Sequence, residues 1–376
     1  MEKLKVIVSG GGTGGHIFPA ISIANELKSR LPETDILFVG ALGKMEMERV
    51  PAAGYQIIGL PVMGFPRKPS FKMLTFFLKL FKSMRLANKI ISDFKPDVVV
   101  GVGGFASGPV LKAAVRKGVP TVIQEQNSYA GITNKLLASK VNKICVAYPN
   151  MDRYFPAKKI VMTGNPVRKN LIETLVSKTE ALEYFKLDAK NPVVLIVGGS
   201  LGARTLNESV MANLELIRKT DVQILWQTGS YYYKELVERL RQNMPENLHP
   251  MEFVARMDLA YAAADVVISR AGAGTISELC LLGKPSVLVP SPNVAEDHQT
   301  KNALSLVNNQ AALLINDADS EDDLFIETFK LLDDKSHLKS LSENIRKLGR
   351  PNAAKDIVDV ILGLVESQKT EVRSPK

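Results

Sequence analysis

Cysteine is nearly absent from this sequence: Cys145 and Cys280 are the only two in 376 residues. That excludes a disulfide scaffold and suits a reducing compartment. Long apolar runs are missing too, and none could span a bilayer. Met1-Glu2-Lys3 leads straight into a strand pattern with no apolar h-region or cleavage site, so a cytoplasmic protein is expected. Zinc-finger spacing, a recognition helix and an aromatic-lined strand set are all lacking, which argues against nucleic acid as a partner. Histidines number four, so each one near a glycine loop carries weight.

What is present is ordinary for a globular chain: 45% hydrophobic and 23% charged residues. The length exceeds one comfortable core and predicts two domains. A net charge of +9 is concentrated rather than spread. Between Pro61 and Lys95 stand Arg67, Lys68, Lys72, Lys79, Lys82, Arg85, Lys89 and Lys95 against one acid, Asp93. A helix is predicted over 71–85. Its wide apolar arc, with Phe76, Phe77 and Phe81, is flanked by a face of Lys72, Thr75, Lys79, Lys82 and Ser83. That pattern fits a helix on an anionic membrane surface, and a helix covering a sheet can keep the same exposed rim.

The first half alternates strands and helices. Apolar strands are expected at 4–8, 36–39, 56–60, 97–100, 121–124 and 143–147. Continuous apolar strands spaced by helices indicate a parallel sheet covered on both faces. After Gly164-Asn165-Pro166-Val167-Arg168 the plan restarts, with strands at 193–197, 222–226, 248–254, 265–269 and 286–289. The domains are therefore expected as 1–164 and 165–350. A final helix after Pro351 is expected to brace the first domain, and a polar tail from Glu366 to be disordered.

Each half opens with strand, glycine loop and helix, the geometry that binds anions through backbone N–H groups and the helix dipole. Gly10 to Gly15 spells G-x-G-x-x-G, yet no acid ends the second strand to hold a ribose, and His16 stands where a P-loop needs Lys. His16 falls in the first helical turn, where the positive helix end favours the neutral imidazole that a general base needs. A second loop, Gly101 to Pro109, offers another anion site in the same domain. In the second half, the loop around Ser200 and the stretch Ser269 to Glu278 suit a nucleotide: amides for phosphate and a carboxylate for ribose. Asp317-Ala318-Asp319 looks like a metal motif, but helix capping explains it better, and no metal or cofactor is expected.

Together, the runs Gly11 to Ala20, Gly103 to Pro109, Glu125-Gln126-Asn127, Gly164 to Arg168, Gly198 to Ala203 and Ser269 to Glu278 resemble the MurG family. These are bacterial N-acetylglucosamine transferases that complete the lipid-linked peptidoglycan precursor. The resemblance covers nearly the whole chain. It implies a GT-B α/β fold, two Rossmann-like domains with parallel sheets facing across a cleft. It implies inverting transfer from UDP-N-acetylglucosamine to the muramoyl 4-hydroxyl of undecaprenyl-diphosphate-linked muramoyl-pentapeptide. The place implied is the cytoplasmic face of the inner membrane, as a peripheral protein beside other cell-wall synthesis proteins.

Carried over residue by residue, the resemblance implies that Phe253 caps the uracil and the Val254 backbone reads its edge. Arg168, Ser200 and the amides of Ala273, Gly274 and Thr275 would hold the diphosphate, with Glu278 on the ribose. Asn127 and Gln299 would address the donor sugar, beside Thr13, Gly14 and Gly15. Gly103, Gly104 and Ser107 would meet the acceptor. His16 is the implied base, with Glu125 as competitor. Two positions depart from the family pattern: His298 precedes Gln299 where the family often has Gln, and Gln124 stands where it often has His. Two alternatives stay open: a GT-B transferase acting on another lipid such as diacylglycerol, and a non-enzymatic nucleotide-binding scaffold at the membrane surface.

Overall fold

The computed structural model describes residues 3–64, 72–168, 171 and 176–373. The chain divides into two compact units, Met1–Arg168 with Asn352–Lys376, and Lys169–Pro351.

Unit 1 carries a parallel sheet of β1 (Lys5–Ser9), β2 (Asp35–Ala41), β3 (Gln56–Leu60), β4 (Val98–Gly101), β5 (Thr121–Glu125), β6 (Lys143–Val146) and β7 (Ile160–Met162). Their spatial order is β3-β2-β1-β4-β5-β6-β7. The chain thus walks outward from β1 to β3, then returns to lay β4 on the other side of β1, with Ser9 opposite Gly101. Beyond the carboxyl ends of β1 and β4 the connections diverge, which is where open α/β sheets leave room for a ligand. Both glycine loops of this unit leave the sheet there. The covering helices are α1 (Gly14–Arg30), α2 (Glu46–Ala52), α3 (Lys72–Phe94), α4 (Ser107–Arg116) and α5 (Ile132–Leu137).

The C-terminal helix, Ala353–Arg373, belongs to this unit. Ile357, Val358, Ile361 and Val365 share one core cluster with Val6, Val8, Ile23 and Leu27. Burying each such aliphatic side chain stabilises by about 1.5–3 kcal/mol, enough to bring the chain end back to this sheet. Arg30 adds a pair with Asp359 at 2.5 Å. The tail expected to be disordered from Glu366 is instead helical as far as Arg373, because the helix continues past its packed half.

Unit 2 repeats the plan with β8 (Val193–Val197), β9 (Gln223–Gln227), β10 (Leu248–Met251), β11 (Val266–Ser269), β12 (Ser286–Leu288) and β13 (Leu313–Leu314). The order β10-β9-β8-β11-β12-β13 puts the reversal between β8 and β11, with Val197 beside Ser269. The Ser200 loop and the Ser269–Glu278 stretch leave the sheet at that point. Pro250 is accommodated because β10 is an edge strand. Strands β7 and β13 escape sequence reading; three and two residues are too short to show a period.

Candidate active site

In unit 1 the two glycine loops interlock. A Cβ on Gly104 would stand 2.3 Å from the Gly11 carbonyl oxygen, and one on Gly103 would stand 2.9 Å from Nε2 and Cδ2 of His16. Gly103 also holds φ +94, a conformation open to glycine and costly for other residues. The second loop is therefore the surface against which the first loop and its imidazole rest.

Thr13 is the N-cap of α1 with extended backbone, so Gly14, Gly15 and His16 form its first turn. Amides of a first turn lack intrahelical acceptors, and those of Gly14 and Gly15 open this helix. His16 Nδ1 lies 3.1 Å from the Gly11 carbonyl and 3.3 Å from Thr13 Oγ1. A carbonyl can only accept, so the proton sits on Nδ1 and the basic lone pair on Nε2. Nothing in the sequence singles out Glu46, yet its wholly buried carboxylate lies beneath this loop. Gly12 N–H donates to its Oε2 at 3.0 Å and Ala41 N–H to its Oε1 at 2.9 Å.

Glu125, expected as a competing base, has a different part. It is 2% exposed and accepts from Asn127 N–H at 3.1 Å, Asn127 Nδ2 at 3.4 Å, Gly131 N–H at 3.0 Å and Asn134 Nδ2 at 2.8 Å. Burial pushes its pKa up, and these donors offset part of the rise. Both oxygens are engaged in pinning the 126–131 loop, which leaves the carboxylate poorly placed to take a substrate proton. Asn127 itself stays half-buried at the loop surface. Gln124, in the departing position, donates to Asn165 Oδ1 at 2.8 Å and accepts from Gln126. Asn165 Nδ2 reaches the Gln126 carbonyl at 2.9 Å, so the Gly164–Arg168 segment is tied to β5. The Arg168 guanidinium stacks over the Phe18 ring at 5.3 Å.

Ser107, expected to meet the acceptor, is wholly buried and donates to the Gly104 carbonyl at 3.0 Å. It shapes the second loop from beneath. Gly103 and Gly104 keep their place at the loop.

In unit 2, Gln227 joins two expected donor segments. Its Nε2 donates to the Gly199 carbonyl at 3.0 Å, and its Oε1 accepts Val254 N–H at 2.9 Å. Any edge contact from the Val254 backbone therefore falls to its carbonyl. Phe253 is 56% exposed and Ser200 also faces outward. Helix Ala273–Leu282 starts from Gly272 with no side-chain cap, so the amides of Ala273, Gly274 and Thr275 stand in an uncapped first turn. One turn further on, buried Glu278 accepts from Tyr261 Oη at 3.0 Å. Gln299 Oε1 accepts Ser291 N–H at 2.8 Å. Just before it, Glu296 and Asp297 both adopt left-handed φ, +57 and +52. For residues with a Cβ that costs roughly 1–2 kcal/mol each, strain that accumulates beside Gln299.

Asp317 corrects the capping expectation. Asp319 stands at the N-cap position but its side chain makes no capping bond and accepts Asn316 Nδ2 at 2.9 Å, while Asp317 pairs with Arg270 and accepts Thr205 Oγ1 at 3.0 Å. Among the described residues no group of three His, Cys, Asp or Glu could hold a metal ion.

Helix α3 differs from its sequence reading in one respect. Ser83, expected on the lysine face, is buried with Ala87, Ile90 and Ile91, a stripe at i, i+4, i+7 and i+8. The outward side keeps Leu74, Phe77, Leu78 and Phe81, each more than half exposed, among Lys79, Lys82 and Arg85. Phe76 is half-buried, its ring 5.4 Å from that of Phe77. Arg67, Lys68, Phe71 and the side chain of Lys72 lie outside the described residues. No described helix is long and apolar enough to cross a membrane.

The family model for the glycosyltransferase family 28 N-terminal domain matches residues 6–146, and that for the family's C-terminal domain matches residues 193–358. The UDP-N-acetylglucosamine--N-acetylmuramyl-(pentapeptide) pyrophosphoryl-undecaprenol N-acetylglucosamine transferase of Parabacteroides distasonis is 56% identical over 368 residues, 98% of this chain and 100% of the relative. Its counterpart from Bacteroides thetaiotaomicron is 56% identical over 372 residues, again 98% and 100%. The crystal structure of Acinetobacter baumannii MurG aligns with a TM-score of 0.77 and 29% identity, covering 96% of this chain and 99% of that one.

Proposed function

The chain belongs to glycosyltransferase family 28, within the MurG family, and from that membership we infer the reaction it catalyses. It moves N-acetylglucosamine from UDP to the muramoyl 4-hydroxyl of undecaprenyl-diphosphate-linked muramoyl-pentapeptide. The observation that carries this is the 56% identity to transferases of that name across essentially the full chain. The two parallel-sheet units are those of GT-B glycosyltransferases.

The division of labour we propose follows the two switch points. In unit 2, Phe253 covers the uracil, the Val254 carbonyl accepts from its edge, and Glu278 holds the ribose hydroxyls. Ser200 and the amides of Ala273, Gly274 and Thr275 receive the diphosphate, joined by Arg168. Negative charge grows on UDP as the anomeric C–O bond breaks, and fixed positive dipoles stabilise it more than water would. Asn127 and Gln299 orient the sugar. In unit 1, the amides of Gly14 and Gly15 meet anionic substrate, and His16 Nε2 takes the proton of the attacking hydroxyl. The new C–O bond forms opposite the departing UDP, so the anomeric centre inverts.

The acceptor carries a polyisoprenoid tail, so the enzyme must work at a membrane. The exposed Leu74, Phe77, Leu78 and Phe81, ringed by lysine and arginine, support α3 as the contact on an anionic cytoplasmic leaflet. The deciding experiment is turnover of labelled UDP-N-acetylglucosamine with a lipid-linked muramoyl acceptor, run beside diacylglycerol. Transfer to the muramoyl lipid alone is expected. Transfer to diacylglycerol alone would overturn the reading, and so would UDP-sugar binding with no transfer to either.

A further inference from the structure

We propose that Glu46 is a positioning residue for His16, acting through the single peptide group between Gly11 and Gly12. This rests on the reading of His16 as the base and extends it by one residue on a different helix. The C=O of that peptide belongs to Gly11 and accepts from His16 Nδ1 at 3.1 Å. Its N–H belongs to Gly12 and donates to Glu46 Oε2 at 3.0 Å. A peptide group is planar, and in its trans form the N–H and C=O point in opposite directions; no cis peptide occurs among the described residues. Fixing the N–H on Glu46 therefore aims the carbonyl at the imidazole.

The surroundings are built to hold this carboxylate. Its other oxygen accepts Ala41 N–H at 2.9 Å, which anchors it to the end of β2. It is wholly buried. Glycines make the room: a Cβ on Gly11 would stand 2.1 Å from Glu46 Oε1, and one on Gly40 would stand 2.6 Å from Glu46 Cγ. Gly104 closes against the same Gly11 carbonyl from the second loop.

The chemical consequence is twofold. The aimed carbonyl keeps the proton on Nδ1 and so reserves Nε2 for the substrate. Hydrogen bonds in series also polarise one another, so a carboxylate at one end makes the carbonyl a stronger acceptor at the other. That stabilises the imidazolium formed when Nε2 takes the acceptor's proton. The arrangement is the carboxylate–imidazole pair of a hydrolase triad, with one peptide group inserted between the members.

The test joins spectroscopy to kinetics. In 15N-histidine-labelled full-length protein, long-range 1H–15N correlation reports each tautomer, and His16→Ala assigns the His16 signals. Wild type should show the Nδ1–H form. Glu46→Gln should mix the tautomers and lower kcat on the order of tenfold, part of the 10²–10⁴ a general base supplies. KM for UDP-N-acetylglucosamine should stay within about twofold, because nothing proposed for Glu46 touches the donor. An Nε2–H tautomer in wild type overturns the proposal whether or not the variant folds. A folded Glu46→Gln with unchanged tautomer and unchanged kcat also overturns it. Were the transfer reading itself wrong, wild type would show no turnover while the tautomer result stood unaffected.

Discussion

Tyr261 donates its phenolic hydroxyl to Glu278 Oε2 at 3.0 Å, and both side chains are buried. The tyrosine stands on helix Met257–Ala263 and the glutamate on helix Ala273–Leu282, so the bond fixes the carboxylate proposed for the ribose. Tyr261→Phe keeps the ring and removes the donor. Leaving a buried charged acceptor one donor short costs about 1–3 kcal/mol. The expected outcome is a several-fold rise in KM for UDP-N-acetylglucosamine with kcat changed less, read from steady-state kinetics. Equal loss in kcat with unchanged KM would argue that Glu278 serves the chemical step instead.

Gly103→Ala places a methyl group 2.9 Å from His16 Nε2 at a φ of +94. The imidazole must shift, and a base displaced by an ångström loses on the order of a hundredfold in rate. Gly118→Ala is the matched control, since its φ is +69 and nothing lies within 4 Å of the added Cβ. It should lower stability by about 1 kcal/mol and leave kcat alone. Similar kcat losses in the two variants would remove His16 packing as the cause.

Membrane contact through α3 has both a charge and an apolar component. Each lysine or arginine near an anionic leaflet contributes about 1 kcal/mol. Lys79→Glu, Lys82→Glu and Arg85→Glu together should therefore weaken co-sedimentation with phosphatidylserine vesicles by at least about a hundredfold, and salt should weaken the wild type likewise. Phe77→Ser with Phe81→Ser should weaken binding even to neutral vesicles. Unchanged sedimentation in both sets would move the contact elsewhere.

Lys284 offers a stability signature unrelated to catalysis. Burial lowers its pKa to about 8 from an ordinary 10.5, while its ammonium donates to the Ala264 carbonyl at 2.8 Å. The folded chain therefore releases this proton at lower pH than the unfolded chain does. Between about 8 and 10.5 the unfolded state binds more protons, so this residue's contribution rises with pH, at up to ~1.4 kcal/mol per pH unit. Denaturant midpoints across that window should show the rise in wild type and lose it in Lys284→Met. A slope unchanged by the substitution would assign it to other groups.

By itself the sequence determined the longer strands of both sheets, all but the short β7 and β13, together with the glycine loops that end them and the family to which they belong. These are local signals: an apolar run, a glycine cluster, a helix start. They are legible because strand, turn and helix each have a period or a residue type that short stretches must satisfy. Which polar side chains serve the site was decided only by tertiary structure. Glu46 looks like any other acid in the sequence, and Glu125 stands out only through the Glu125-Gln126-Asn127 run; one lies buried beneath the glycine loop and the other is enclosed by four donors. Ser83 reads as part of the lysine face and Ser107 as an acceptor contact, and both are buried. Tyr261 and Gln227 act on segments 17 to 28 residues away. The physical reason is common to all of them: burial and hydrogen bonding depend on which elements the sheet order brings together. A buried carboxylate and a solvated one are spelled with the same letter.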